Sequence, residues 1–239
     1  ARTQPFPLKP PPIAPQRFEP PDLSPEARAW VQERLKTARA GSIYTPPSRE
    51  GTVVLPGFHG GAVWGGAAFD PSTNCLYVPV NNVPNLLTIV PARAGAAFPF
   101  DIDGYKKFED QDGYPAVQPP WGELVAVDLN RGDILWRTTV GEYPELRARG
   151  LPPTGTDLIG GAIVTAGGLV FMGASRDEKF RAFDAKTGKI LWETELEAGG
   201  YATPMTYSAG GRQYVVIAAG GGGKQRTKAG DAFVAFALP

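Results

Sequence analysis

The chain has 239 residues, enough for one large all-β domain or two small ones. Its 24 basic and 24 acidic residues cancel, so no cationic excess exists to displace counterions, which argues against nucleic acid as a partner. The 30 glycines and 25 prolines suit turns and short strands better than long helices, and no apolar run reaches the roughly 18 residues of a membrane span.

Residues 1–23 are proline-rich, with the run PFPLKPPPIAPQRFEPP. Proline removes backbone donors and favours extended conformation, so this stretch reads as a tether over a surface rather than a ligand for a proline-binding domain. A helix is expected over 24–40. Ser24 is a good N-cap, Pro25 fits the first turn and Glu26 complements the dipole. Ala27, Trp30, Val31, Leu35 and Ala38 share one face, and Gly41 is a plausible stop. Residues 1–50 thus form an extended segment plus one helix, ahead of a strand-rich region over 51–239.

That region carries a repeat. LVAVDLNRGDILW, from Leu124 to Trp136, returns as FRAFDAKTGKILW, from Phe180 to Trp192, and a third copy begins at AFVAFALP, from Ala232 to Pro239. In front of each copy lies a hairpin pattern, two apolar runs split by a short turn: Trp64 to Val80, Gly160 to Ala174 and Ala202 to Gly220. Four short strands per repeat, each repeat ending in Trp, are the signature of a β-propeller. The expected blades cover about 51–140, 157–197 and 201–239, the last without its outermost strand. Such blades do not close a ring alone, so the expected partner is the N-terminal remainder of the propeller or a second chain that covers the open edges.

Strand parity places the elaborate connections together. The turns DPSTN, TAGG, SAGGR, DLNRGD and DAKTGK lie on one face. The long connections from Asn81 to Gly122, Gly141 to Ile159 and Gly220 to Gly230 lie on the other, which is where a site is expected.

Individual residues divide into packing and chemistry. Trp136 and Trp192 read as wedges between blades, and the Asp-to-Gly spans Asp128–Gly132 and Asp184–Gly188 as turns. Cys75, the single cysteine, reads as an inert buried thiol and excludes a haem-attachment motif or zinc cluster. His59 is the single histidine, so a Ser-His-Asp triad has only one candidate base. Trp64 stands at the start of an inner strand, where the central channel opens, and either a site or a core role fits it. The loop AAGGGGKQRTKAGD, from Ala218 to Asp231, combines a run of four glycines with Lys224, Arg226 and Lys228. It suits a small polyanion approached by backbone amides; the alternative is a flexible turn with a solvated basic run.

The ordered series YTPPSREGTVVLPG, WGGAAFDPSTNCLYV, GGAIVTAGGLVF, RAFDAKTGKILWE, GGYATPMTY, YVVIAAGG and TKAGD resembles the C-terminal part of dehydrogenases dependent on pyrroloquinoline quinone (PQQ), especially the membrane glucose dehydrogenase branch. The resemblance implies an eight-bladed propeller with PQQ and a divalent metal, usually Ca²⁺. It also implies oxidation of an alcohol or aldose in the periplasm and electron transfer to a quinone or cytochrome. The catalytic Asp and the metal ligands of the family would precede Ala1, so no catalytic or metal-binding residue is assigned. Carried over as cofactor-binding positions are Val63 and Trp64, Leu158 and Ile159, and Gly222, Gly223 and Lys224. Relatives often have Asn at the place of Val63, Trp near Leu158, and His or Trp in the glycine loop. The alternative reading is a non-catalytic propeller scaffold of the outer-membrane assembly type, which has no use for GGGGKQRTK.

Overall fold

The structure is a computed structural model that describes residues 3 and 7–238. In chain order it contains α1 (Pro25–Arg34), β1 (Thr52–Val54), β2 (Ala68–Asp70), β3 (Cys75–Asn81), β4 (Asn85–Leu87), β5 (Ile89–Pro91), β6 (Phe100–Ile102) and β7 (Lys106–Lys107). There follow β8 (Gly122–Asp128), β9 (Asp133–Thr139), α2 (Pro144–Ala148), β10 (Ile163–Val164), β11 (Leu169–Met172), β12 (Lys179–Asp184) and β13 (Ile190–Glu195). The last strands are β14 (Met205–Ala209), β15 (Arg212–Gly221) and β16 (Ala229–Phe236). Two compact units result. The first combines the segment up to Ile13 with Ala62–Val80 and everything from Gly122 onward; the second combines Ala14–Gly61 with Asn81–Trp121.

The first unit holds three antiparallel sheets, in the orders β2-β3-β8-β9, β10-β11-β12-β13 and β14-β15-β16. These are propeller sheets, each strand pairing with its neighbour in order. The repeat seen in the sequence is the outer hairpin of the first two. β8 pairs with β9 and β12 with β13, and both ladders shift register at the same repeat position, Ala126/Val127 and Ala182/Phe183. The turns are closed by aspartate. Asp128 Oδ1 accepts from the amides of Asn130 and Arg131, and Asp184 Oδ1 from the amides of Lys186 and Thr187 and the Thr187 hydroxyl. Gly132 and Gly188 take φ of 69° and 71°, which a side chain would disfavour.

Trp136 docks one sheet on the next. Its indole Nε1 donates to the carbonyl of Ala185 at 3.1 Å, and Thr138 Oγ1 donates to the carbonyl of Gly188 at 2.8 Å. The ring also packs on Tyr77, 5.8 Å between centroids. Around it lies the main apolar cluster, which includes Leu124, Val170, Met172 and Phe183. Trp192 departs from the same expectation: it packs against Phe180 and Phe236 but stays 38% exposed. The physical reason is that the third sheet has three strands among the described residues and offers no following turn to take the indole.

Residues 9–13 of the proline-rich segment lie along the outer strand of the first sheet. Lys9 Nζ pairs with Asp133 at 2.6 Å, and Arg137 donates to the carbonyls of Pro12 and Ile13. Here a cation of the strand grips carbonyls of a segment in which proline has removed backbone donors.

In the second unit β1, β4 and β7 form a three-stranded sheet, and β5 and β6 a separate hairpin. Ser24 Oγ caps α1 by accepting from the Ala27 amide, and Val31 packs with Val53, Phe108 and Ala116. The helix ends at Arg34, short of the expected residue 40. Arg39 is already committed to β structure: its amide donates to Gly51 and its carbonyl accepts from Val53. In the first unit, helix α2 is a short turn started by Pro144 with Leu146 buried.

Candidate functional site

Three chain segments that precede inner strands of the first unit meet through backbone. Gly65 faces Gly160 and Gly161 so closely that a Cβ on Gly65 would stand 2.4 Å from the carbonyl carbon of Gly160. A Cβ on Gly161 would stand 2.3 Å from the carbonyl oxygen of Gly65. Thr203 Oγ1 donates to that same oxygen at 2.9 Å. Gly160, at φ 124°, abuts the carbonyl of Tyr201. Only glycine permits such contact, so Gly65, Gly160 and Gly161 are a packing requirement that draws the three strand starts together.

The expected cofactor positions fall into two kinds. Val63 and Leu158 are both buried in the apolar cluster beneath these strand starts, where their side chains serve the core rather than face outward. Val63 is fixed by its amide on the Pro79 carbonyl at 2.9 Å, and Ile159, half-buried, by its amide on the Ala174 carbonyl at 2.9 Å. Trp64 differs: its side chain is 76% exposed, and the backbone on either side is pinned. An indole that large, held out on rigid backbone, presents a flat apolar face for stacking.

The glycine loop is ordered by unusual backbone. Gly221, Gly222, Gly223 and Arg226 all have positive φ, between 52° and 66°, and Gly223–Gln225 form one 3-10 turn. The Gly222 amide donates to the Lys228 carbonyl and to Thr227 Oγ1, both at 3.1 Å. Gly223, Lys224 and Arg226 are exposed, whereas Gln225 between them is buried. Gln225 Nε2 donates to the Asp157 carbonyl at 2.9 Å, one residue before Leu158. The glycine loop and the Leu158–Ile159 segment, far apart in sequence, are therefore tied directly.

Polar side chains that the sequence pattern does not single out surround this tie. The Tyr201 hydroxyl and Thr227 Oγ1 are 2.8 Å apart, and burial pushes the Tyr201 pKa up to about 12. Arg176 stacks on Tyr143, 5.3 Å from guanidinium carbon to ring centroid, and donates to its hydroxyl at 3.1 Å. Its backbone amide donates to Thr156 Oγ1. Behind it, buried Arg181 is held by Ser175, Asp177 and Glu193. Nothing in the local sequence distinguishes Gln225 or Arg176 from solvated loop residues; their burial follows from chain segments converging.

The donor set fits a flat polyanion. It combines an exposed indole, a glycine loop free of side-chain bulk and the exposed Lys224, Arg226 and Lys228. Among the described residues no group of three or more His, Cys, Asp or Glu is placed to hold a metal ion.

The sequence matches the family described as "PQQ: Glucose/ethanol/alcohol dehydrogenase, beta-propeller domain" over residues 1–215. The chain belongs to that family. It is 37% identical to quinoprotein glucose dehydrogenase A of Acinetobacter calcoaceticus over 226 residues, which is 86% of this chain and 28% of the relative. It is 34% identical to the glycerol dehydrogenase large subunit of Gluconobacter thailandicus, over 86% of this chain and 33% of the relative. Among solved structures it is similar to a europium-containing methanol dehydrogenase, with TM-score 0.54 and 29% identity over 71% of this chain and 26% of that one. A quinohemoprotein alcohol dehydrogenase from Comamonas testosteroni matches with TM-score 0.50 and 26% identity, over 71% of this chain and 24% of that one. The chain thus spans about a third or less of the length of these relatives. No helix among the described residues is long and apolar enough to cross a membrane.

Proposed function

We propose that this chain forms part of a PQQ-dependent dehydrogenase that oxidises an alcohol or aldose in the periplasm and passes electrons to a quinone or cytochrome. The observation that carries the reading is the convergence at Gly65, Gly160–Gly161 and the Gln225–Asp157 tie. It supports a single seat made of exposed Trp64, the Leu158–Ile159 backbone and the Gly222–Lys224 turn, all in the first unit. PQQ, when bound, supplies the hydride-accepting quinone. The part of this chain is to seat it: Trp64 offers a stacking face, glycine lets the backbone approach, and Lys224 neutralises carboxylate charge. Val63 and Leu158 contribute through backbone position, since their side chains serve the core. The divalent metal, Ca²⁺ in this proposal, and the catalytic base belong to residues outside this chain, and the remainder of the propeller is the natural partner.

The test is a PQQ titration into the complete apo-enzyme. Lys224→Glu is expected to raise the dissociation constant at least tenfold, about 1.4 kcal/mol, with substrate affinity at saturating PQQ little changed. Arg226→Glu and Lys228→Glu are the comparison, because side chains of one loop do not all face the same ligand. Wild-type binding in all three variants would make the basic run solvated surface and overturn the cofactor assignment of this loop.

A further inference from the structure

The structure assigns Gln225 as the positioning residue of the glycine loop: its side-chain amide latches the Gly222–Lys224 turn to the Asp157 carbonyl, and so couples the loop to the Leu158–Ile159 segment. This rests on the cofactor reading above for its functional consequence, though not for the latch itself.

Three consecutive glycines at positive φ, followed by Arg226 at φ 55°, make a segment with many alternative conformations to lose on ordering. Something must hold it in one of them. The Gly221 amide fixes the start of the loop on the Gly199 carbonyl, and the hydrogen bonds of Gly222 and Arg226 close the loop on itself. None of these holds the tip. Side-chain contacts reach further, among them Thr227 with Tyr201 at the base and Gln225 with the Asp157 carbonyl at the tip. Gln225 is 1% exposed, while Lys224 and Arg226 on either side are exposed. It is thus a buried peg at the turn that carries the proposed cofactor-facing residues.

Gln225 is poorly explained as a stability device. Among the described residues its buried Oε1 has no hydrogen-bond donor. A buried amide with half of its polar capacity unsatisfied is costly, and an apolar chain of the same length avoids that cost. What the apolar chain does not do is register the loop against a backbone carbonyl. Position, rather than stability, is what the amide contributes.

The experiment compares wild type, Gln225→Met and Gln225→Glu in the complete protein. Hydrogen exchange is measured on residues 221–226, together with thermal unfolding and PQQ titration. Met keeps volume and removes the donor. Glu keeps shape and also lacks the donor at neutral pH, but recovers one when protonated. In Gln225→Met the loop amides are expected to exchange at least tenfold faster, with the β15–β16 ladder equally protected and the melting temperature unchanged or raised. The PQQ dissociation constant is expected to rise at least tenfold. In Gln225→Glu the loop is expected to tighten again as pH is lowered through the titration of the new carboxyl, which a purely structural role would not produce. Unchanged loop exchange in Gln225→Met overturns the latch. A loosened loop with wild-type PQQ affinity overturns its positioning role. Failure of the wild type itself to bind PQQ overturns the cofactor reading instead, and the exchange data still decide the latch. If Gln225→Met does not fold, Gln225→Glu decides in a chain of nearly native shape. Loop exchange that slows as the carboxyl is protonated supports the latch, and loop exchange that is the same in both protonation states overturns it.

Discussion

Trp136 and Trp192 occupy the same place in the repeat but do not do the same work. Trp136 commits its indole N–H to the Ala185 carbonyl and its ring to Tyr77 and the Gly188 turn. Trp192 has ring contacts with Phe180 and Phe236 and remains partly exposed. For the 239-residue chain, Trp136→Ala is expected to cost about 3 kcal/mol and Trp192→Ala about half of that or less, read from urea midpoints. Equal losses would show that the docking turn contributes nothing. Tyr77 and Tyr201 make a second residue-scale case, since burial pushes the pKa of each up to about 12 from an ordinary 10.0. Well below pH 10 folded and unfolded chains both keep these protons, and stability is level. Between about 10 and about 12 the unfolded chain releases them first, so stability falls as pH rises. Tyr201→Phe is expected to shallow that fall; an unchanged alkaline unfolding curve would contradict it.

At the scale of elements, the outer hairpins show how much a short motif settles. The Asp-to-Gly turn, the alternation before it and the apolar strand after it specify an antiparallel hairpin without help from distant residues. Asp184 accepts three local hydrogen bonds, and these, the Thr187 hydroxyl first, hold its carboxyl below the usual range. Asp184→Ala is expected to lower the melting temperature measurably while Asp184→Asn, which keeps an acceptor, restores most of it. A melting temperature unmoved by either change would make the turn a passive connection. The helices were less legible. The pattern at Ala27, Trp30 and Val31 fits α1, but its end was set by Arg39 joining β1 through Gly51 and Val53, a contact no local signal carries. Short α2 has an N-cap position occupied by Tyr143 with no side-chain cap, so it lacked the usual start signal.

For the whole molecule, β16 ends the third sheet, and Phe233, Met205 and Leu238 are exposed on that sheet or just past its end. A strand edge with such neighbours is a pairing surface. The 239-residue polypeptide alone is therefore expected to self-associate in sedimentation experiments, and Phe233→Lys to reduce this; a 25.5 kDa monomer at all concentrations would contradict it. The sequence by itself determined the propeller class, the family and the hairpins, because these rest on alternation, turns and repeats within a few tens of residues. It also marked the glycine loop as a candidate site. Only the tertiary structure decided that Val63 and Leu158 point into the core while Trp64 points out, that Gly65 meets Gly161, and that Gln225 is buried on Asp157. These are contacts between segments some 70 to 100 positions apart, where burial depends on which backbones can approach, and strand periodicity carries no information about that.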